Sequence, residues 1–353
     1  METVSRPSAC ADPVFVLCAG RSGSTLLRFL LDSHPALACP PETRIPWLCT
    51  QMVSAWSVLE GASAGDAADE SDNSNRPGTG GEPSAGGEPS AGEELGASEE
   101  PNASEEPNAS EEPSAGGERG ADAGPAAGVP AAVVAGLRQS FDPMIASYLA
   151  HAGKERYCDK SLGGAMHSGL LKQMWPGSLF LSLYRHPMDV IGSGIEASPW
   201  GLSGYGFEGY AAGNPGNSVA ALARYWVDYT AEIAAAEDRL GESCLRVRYE
   251  DLVAEPEAEA RRLFEFLGVP AVPGITETIF SRRRQRTGPG DHKIWQTTRI
   301  GGDSVGRGWD VPAGLIPPPL LDDVNRLAGR IGYLPVGPDW GTGDRPEEVR
   351  VAG

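Results

Sequence analysis

The chain has 353 residues, 40% of them apolar, enough for one large domain or two small ones around an ordinary core. Its formal net charge of −19 argues against a nucleic-acid partner, but the charge is uneven: residues 61–125 hold 16 Asp and Glu against two Arg, a net of −14, leaving −5 for the remainder. No apolar run is long enough to span a bilayer and the first dozen residues lack a basic-then-apolar leader, so the expectation is a cytoplasmic protein with no membrane partner.

In chain order, residues 14–18 read as a buried strand that breaks at Gly20 into a helix over 24–33, with Leu26, Leu27, Leu30 and Leu31 on one face. The turn between them, GRSGST, has the composition of an anion cradle. Its glycines permit tight turns, successive amides can point into the concavity, and the helix that follows adds its positive end. Arg21 supplies a permanent cation, and Ser22, Ser24 and Thr25 supply hydroxyls. The lysine of a nucleotide-hydrolysing P-loop is missing. Taken alone, the turn also reads as a plain strand-to-helix connection.

Residues 61–125 repeat GGEPSA twice and then ASEEPN, ASEEPN and ASEEPS, with no aromatic residue. Such a segment buries too little apolar surface to offset its chain entropy, so it is expected to be a disordered acidic insert. Helices are expected over 131–150 and 163–174, and a second buried strand over 179–184. That strand ends in YRHPMDVIGS, where Arg185 leaves the strand and Ser193 stands two turns into the next helix. Both can face one anion, although Arg185 paired with Asp189 and a surface Ser193 is the bland alternative. A long amphipathic helix over 218–239, a third strand over 244–249 and a helix over 257–267 complete an α/β alternation. Ligands of such folds sit at the carboxyl ends of the strands. The six cysteines (Cys10, Cys18, Cys39, Cys49, Cys158 and Cys244) show no CxxC or Cys/His spacing, so no metal is expected and reduced thiols are the default.

The two strand-end motifs together resemble the sulfotransferases that use 3′-phosphoadenosine 5′-phosphosulfate. The segment GRSGSTLLRFLLDSHPALACPPETRIP is most similar to the tyrosylprotein sulfotransferase branch and its bacterial relatives. The likeness resumes at YCDKS, LYRHPMDVIGS, ARYW, RVRYEDL, FEFLGV and HKIW. The resemblance implies a three-layer, P-loop-like fold with a central parallel sheet. It divides the chain into residues 1–60, carrying the phosphosulfate loop; the insert 61–125; the rest of the catalytic domain, 126–340; and a tail, 341–353. It implies that Arg21, Ser22, Gly23, Ser24, Thr25 and Leu26 hold the 5′-phosphosulfate, that Arg185 and Ser193 hold the 3′-phosphate, and that Tyr249 borders the adenine. Glu42 matches the catalytic base. Arg21 and Lys160 match the cations at the transferring group, and Arg44 matches a substrate-side arginine. Thr297 falls in a late loop that closes over the nucleotide. Cys39 and Cys158 match two cysteines that are paired in the branch, which implies that Glu42 and Lys160 lie close together. The donor would be 3′-phosphoadenosine 5′-phosphosulfate, used without a metal.

Pro41 replaces an acidic residue of the branch and a membrane anchor is lacking, so a small hydroxylated metabolite is the expected acceptor, with protein or peptide tyrosine the alternative. A homodimer stays open. Two rivals of other classes are an ATP-dependent small-molecule kinase and a non-catalytic nucleotide-binding module that recruits a partner through the insert.

Overall fold

A computed structural model describes residues 11–69, 129–197, 206–280 and 298–342. Most of the acidic segment and the late loop with Thr297 lie outside the described residues. The chain divides into two compact units, Met1–Val53 with Glu112–Gly353, and Ser54–Glu111.

The first unit is built on five parallel strands: β1 (Ala11–Cys18), β2 (Leu37–Ala38), β3 (Arg156–Asp159), β4 (Leu179–Tyr184) and β5 (Cys244–Arg248). Their order in the sheet is β2-β3-β1-β4-β5. The central strands β1 and β4 are almost continuously apolar because helices cover both faces. Alternate residues of β1 enter different cores. Phe15 and Leu17 pack with Phe180, Trp175, Tyr225 and Trp226, while Val14, Val16 and Cys18 pack with Leu27, Leu30, Leu263 and Phe264 on the other face. The result is the three-layer arrangement expected.

The helices are α1 (Ser24–Ser33), α2 (Ile45–Asp69), α3 (Ala131–Ala152), α4 (Ser168–Met174), α5 (Pro187–Ala197), α6 (Glu208–Gly213), α7 (Ser218–Leu240), α8 (Tyr249–Ala254), α9 (Pro256–Leu267), α10 (Ile275–Thr278) and α11 (Pro318–Arg330). Several differ from the sequence expectation. The helix expected over 163–174 is a 3₁₀ turn, Gly164–His167, followed by α4. The third strand stops at Arg248, and Tyr249 opens α8. Helix α2 has no expected counterpart and runs to Asp69, so the first nine residues of the segment expected to be disordered are helical. Those residues, GASAGDAAD, are rich in alanine and extend a helix already nucleated, which costs little.

Candidate active site

Each strand delivers one of the expected functional residues at or just beyond its carboxyl end. Glu42 follows β2, Lys160 follows β3, Arg21 follows β1, Arg185 follows β4 and Tyr249 follows β5. Because the strands are parallel and ordered β2-β3-β1-β4-β5, these residues form a row along one edge of the sheet, about 4.8 Å per step. The row runs from carboxylate and lysine at one end, through Arg21 in the middle, to Arg185 and Tyr249 at the other.

The central loop has the backbone of an anion nest. Arg21 (φ 66°) and Gly23 (φ 89°) are both left-handed. Gly23 caps α1 without a side-chain hydrogen bond, which leaves the first amides of the helix for a ligand. A side chain at Gly23 has no room: its Cβ would stand 2.2 Å from Cδ2 of Tyr249, so the Tyr249 ring lies against the loop. From the other side the buried Tyr225 hydroxyl accepts a hydrogen bond from the Gly20 amide at 2.6 Å. Burial pushes the Tyr225 phenol well above its ordinary range, so it is neutral here. The Ser22 hydroxyl donates to the Ala19 carbonyl at 2.7 Å, and Ser24 is buried. Thr25 is half-buried. Leu26 donates its amide to Gly23 O at 3.0 Å and buries its side chain in the core.

At one end of the row, Lys160 Nζ donates to Glu42 Oε1. The lysine is 4% exposed and the carboxylate 11%, so the pair is shielded from water. A buried network sets it in place. Asp159 Oδ2 accepts from the hydroxyls of both Thr43 and Tyr157, the latter at 2.9 Å, and Thr43 and Asp159 are the chain neighbours of Glu42 and Lys160. Arg44 follows in the left-handed region (φ 58°) and donates its amide to Ser161 Oγ at 3.1 Å. Cys39 and Cys158 are buried free thiols at this end of the sheet. Burial pushes Cys158 up to about 12 and Cys39 well above its ordinary value.

At the other end, Arg185 is 6% exposed and already joins the two anion motifs. Its Nη1 donates to the Arg21 carbonyl at 3.0 Å, while Arg21 Nε donates to Ser193 Oγ at 3.2 Å. The Arg185 guanidinium stacks over the Tyr249 ring at 4.4 Å. Its Nε is buried and has no hydrogen-bond partner, an atom that calls for an acceptor. The expected alternative of Arg185 pairing with Asp189 is not what forms. Asp189 instead accepts backbone amides of the loop 301–310, and that loop sends Ser304 to Arg185 and Tyr249. Burial, reinforced by the Arg185 and Arg248 cations against the opposing Asp189, pushes the neighbouring His186 down to about 4, so its imidazole is neutral.

Twelve of the thirteen expected site residues therefore lie along one edge, and Thr297 falls outside the described residues. Sequence reasoning missed Tyr225, Ser304, and the Asp159–Thr43–Tyr157 network. ARYW signalled the first, since a tyrosine beside a tryptophan in an amphipathic helix has a hydroxyl that must find a partner. The Thr43–Asp159 and Arg185–Ser304 bonds join residues more than 100 positions apart, which no local pattern reveals.

A profile of the sulfotransferase family matches residues 13–273. Among solved structures, the sulfotransferase domain from the curacin biosynthetic pathway aligns with a TM-score of 0.54 at 18% identity, covering 93% of this chain and all of that one (100%). The sulfotransferase domain of the Synechococcus PCC 7002 olefin synthase aligns at 0.49 with 20% identity, covering 93% and 98%. No curated protein sequence matches. With the family profile spanning most of the chain, and a parallel sheet of the P-loop-like type beneath the row of strand-end residues, the chain belongs to the sulfotransferase family and is a sulfotransferase enzyme.

Proposed function

We propose that this sulfotransferase takes its sulfuryl group from 3′-phosphoadenosine 5′-phosphosulfate and places it on the hydroxyl of a small-molecule acceptor, with Glu42 as the base. The carrying observation is the buried, unpartnered Nε of Arg185, whose guanidinium lies over the Tyr249 ring that rests against the uncapped α1 N-terminus. One strand step thus separates two cradles for anionic groups, a spacing that suits a donor bearing a phosphosulfate and a second phosphate. In this reading Gly23, Ser24 and Thr25 offer amides to the phosphosulfate. Arg185 and Ser193 take the 3′-phosphate, and Tyr249 flanks the base.

Glu42 receives the acceptor's proton as the new S–O bond forms, and the old S–O bond breaks to release adenosine 3′,5′-bisphosphate. Lys160 leaves Glu42 to meet the sulfuryl oxygens, which frees the carboxylate for the acceptor, while Arg21 and the loop amides balance charge growing on the leaving phosphate. Sulfuryl transfer parallels phosphoryl transfer in its loose transition state, so fixed cations and fixed geometry supply most of the rate. Arg44 and Thr297 belong to the substrate side. Pro41, in place of a second acidic residue, supports a small acceptor over an acidic peptide. The buried Cys39 and Cys158 thiols support a reducing, cytoplasmic setting.

Substitution of Glu42 by Gln tests the base. Turnover with the donor should fall by about a hundredfold or more, whereas turnover within a few fold of wild type removes Glu42 from that role.

A further inference from the structure

The loop 301–310 is fastened to the N-terminal turn of α5 by a group that touches no ligand-facing atom. Asp189 is 1% exposed, and both its oxygens are used: Oδ2 accepts the Gly306 amide and Oδ1 the Gly308 amide, each at 2.7 Å. A buried carboxylate is costly unless bonded, so these two charge-assisted bonds fix the loop firmly. The packing admits no slack. A Cβ on Gly308 would stand 2.1 Å from the carbonyl carbon of Met188, and Trp340 Nε1 donates to the Gly308 carbonyl at 2.9 Å from the opposite side.

Two residues before Gly306, the same loop meets the donor-site residues. The Ser304 carbonyl accepts Arg185 Nη2 at 2.7 Å, and the Ser304 hydroxyl is bonded to the Tyr249 hydroxyl at 2.7 Å. A guanidinium is a rigid planar fork, so fixing Nη2 on Ser304 and Nη1 on Arg21 determines where Nε points. We infer that Asp189 is a positioning residue for donor recognition: by holding Gly306 and Gly308 it places Ser304, and through Ser304 it aims Arg185 at the 3′-phosphate. The inference rests on the donor reading above and adds to it the element that sets selectivity for a 3′-phosphorylated nucleotide. Without Asp189 the loop loses its anchor, Ser304 no longer constrains Arg185, and the preference for the 3′-phosphate falls while contacts to the 5′ side stay intact.

The test is calorimetric titration of wild type, Asp189→Asn and Trp340→Phe with adenosine 3′,5′-bisphosphate and with AMP, alongside thermal unfolding of each. In Asp189→Asn the bisphosphate should weaken about tenfold or more, with AMP unchanged within about twofold. Trp340→Phe keeps a ring beside His186 but loses the bond to Gly308, and should lose about threefold for the bisphosphate alone; it carries the test if Asp189→Asn does not fold. Equal weakening of both nucleotides, or no weakening, overturns the positioning role. Wild-type protein with no preference for the bisphosphate over AMP overturns the donor reading and this inference with it, whereas a wild-type preference undiminished in the variants overturns this inference alone.

Discussion

Glu42 and Lys160 meet because their chain neighbours are bonded to each other. Thr43 and Tyr157 both donate to Asp159, which is 2% exposed, so removal of one donor leaves a buried carboxylate short of a partner and loosens the loop that carries Glu42. Thr43→Val should therefore lower kcat about tenfold with the bisphosphate affinity unchanged, and Thr43→Ser should restore it. Steady-state kinetics with parallel calorimetry separates the two effects, and a matching loss of donor affinity would show that Thr43 does not act through the Glu42–Lys160 pair. Gly23 belongs to the opposite class of residue, since what matters there is the absence of a side chain. Gly23→Ala combines a left-handed φ with a collision against Tyr249, and should cost more than about tenfold in bisphosphate affinity. A variant that binds like wild type would show that the Tyr249 ring does not need its place against the loop.

His186 gives the residue scale a pH dependence. Its pKa is pushed from the ordinary 6.5 to about 4, chiefly by burial, so between those values the folded protein binds fewer protons at this site than the unfolded chain does. The stability it contributes is complete above pH 6.5 and is lost as pH falls towards 4, by at most about 1.4 kcal/mol per pH unit. Glu250 accepts the His186 amide at 2.9 Å and is itself raised by burial, which slopes stability the other way, so the comparison must be differential. Urea denaturation at several pH values should show a shallower acid loss in His186→Phe than in wild type. Parallel curves would mean that His186 does not titrate in this range.

At the scale of elements, the legible parts of the sequence were those whose apolar pattern is long enough to stand out. The strands over 14–18 and 179–184, the helix of the phosphate loop and the long α7 all carry continuous or periodic apolar runs, and the structure has them at nearly the expected bounds. Strand β2 is two residues, and β3 reads RYCD, so neither shows a strand pattern; both form because β1 offers an open edge to extend. Part of the candidate site was legible for a related reason. Arg21 and Arg185 each sit where a readable strand stops, and in a parallel α/β sheet that position faces the ligand crevice, whereas Lys160 follows the unreadable β3 and was reached only through the family resemblance. The tertiary bonds that hold them, from Tyr225, Asp159 and Ser304, could not be read because each joins elements distant in sequence. Sheet burial also makes a chemical prediction. Cys18, Cys39, Cys49 and Cys158 are buried, and burial pushes each thiol above its ordinary value, so iodoacetamide at pH 8 should leave them unmodified in native protein and label them after unfolding. Mass spectrometry of labelled peptides checks this, and rapid native labelling of Cys39 or Cys158 would contradict the packing of β2 on β3.

For the molecule as a whole, the charge is unevenly divided along the chain. Residues 61–125 carry a net charge of −14 and the rest of the chain −5, and every described residue of the candidate site lies outside that segment. Three cations, Arg21, Lys160 and Arg185, stand along the row of strand ends. The central claim is that this row of strand ends binds a doubly anionic adenosine nucleotide. Calorimetric titration with adenosine 3′,5′-bisphosphate, beside ATP with magnesium and repeated on Arg185→Ala, tests it most directly. Metal-independent binding of the bisphosphate that collapses in the variant is the expected result; a preference for ATP with magnesium, or bisphosphate binding indifferent to Arg185, would mean that these strand ends do not form that site.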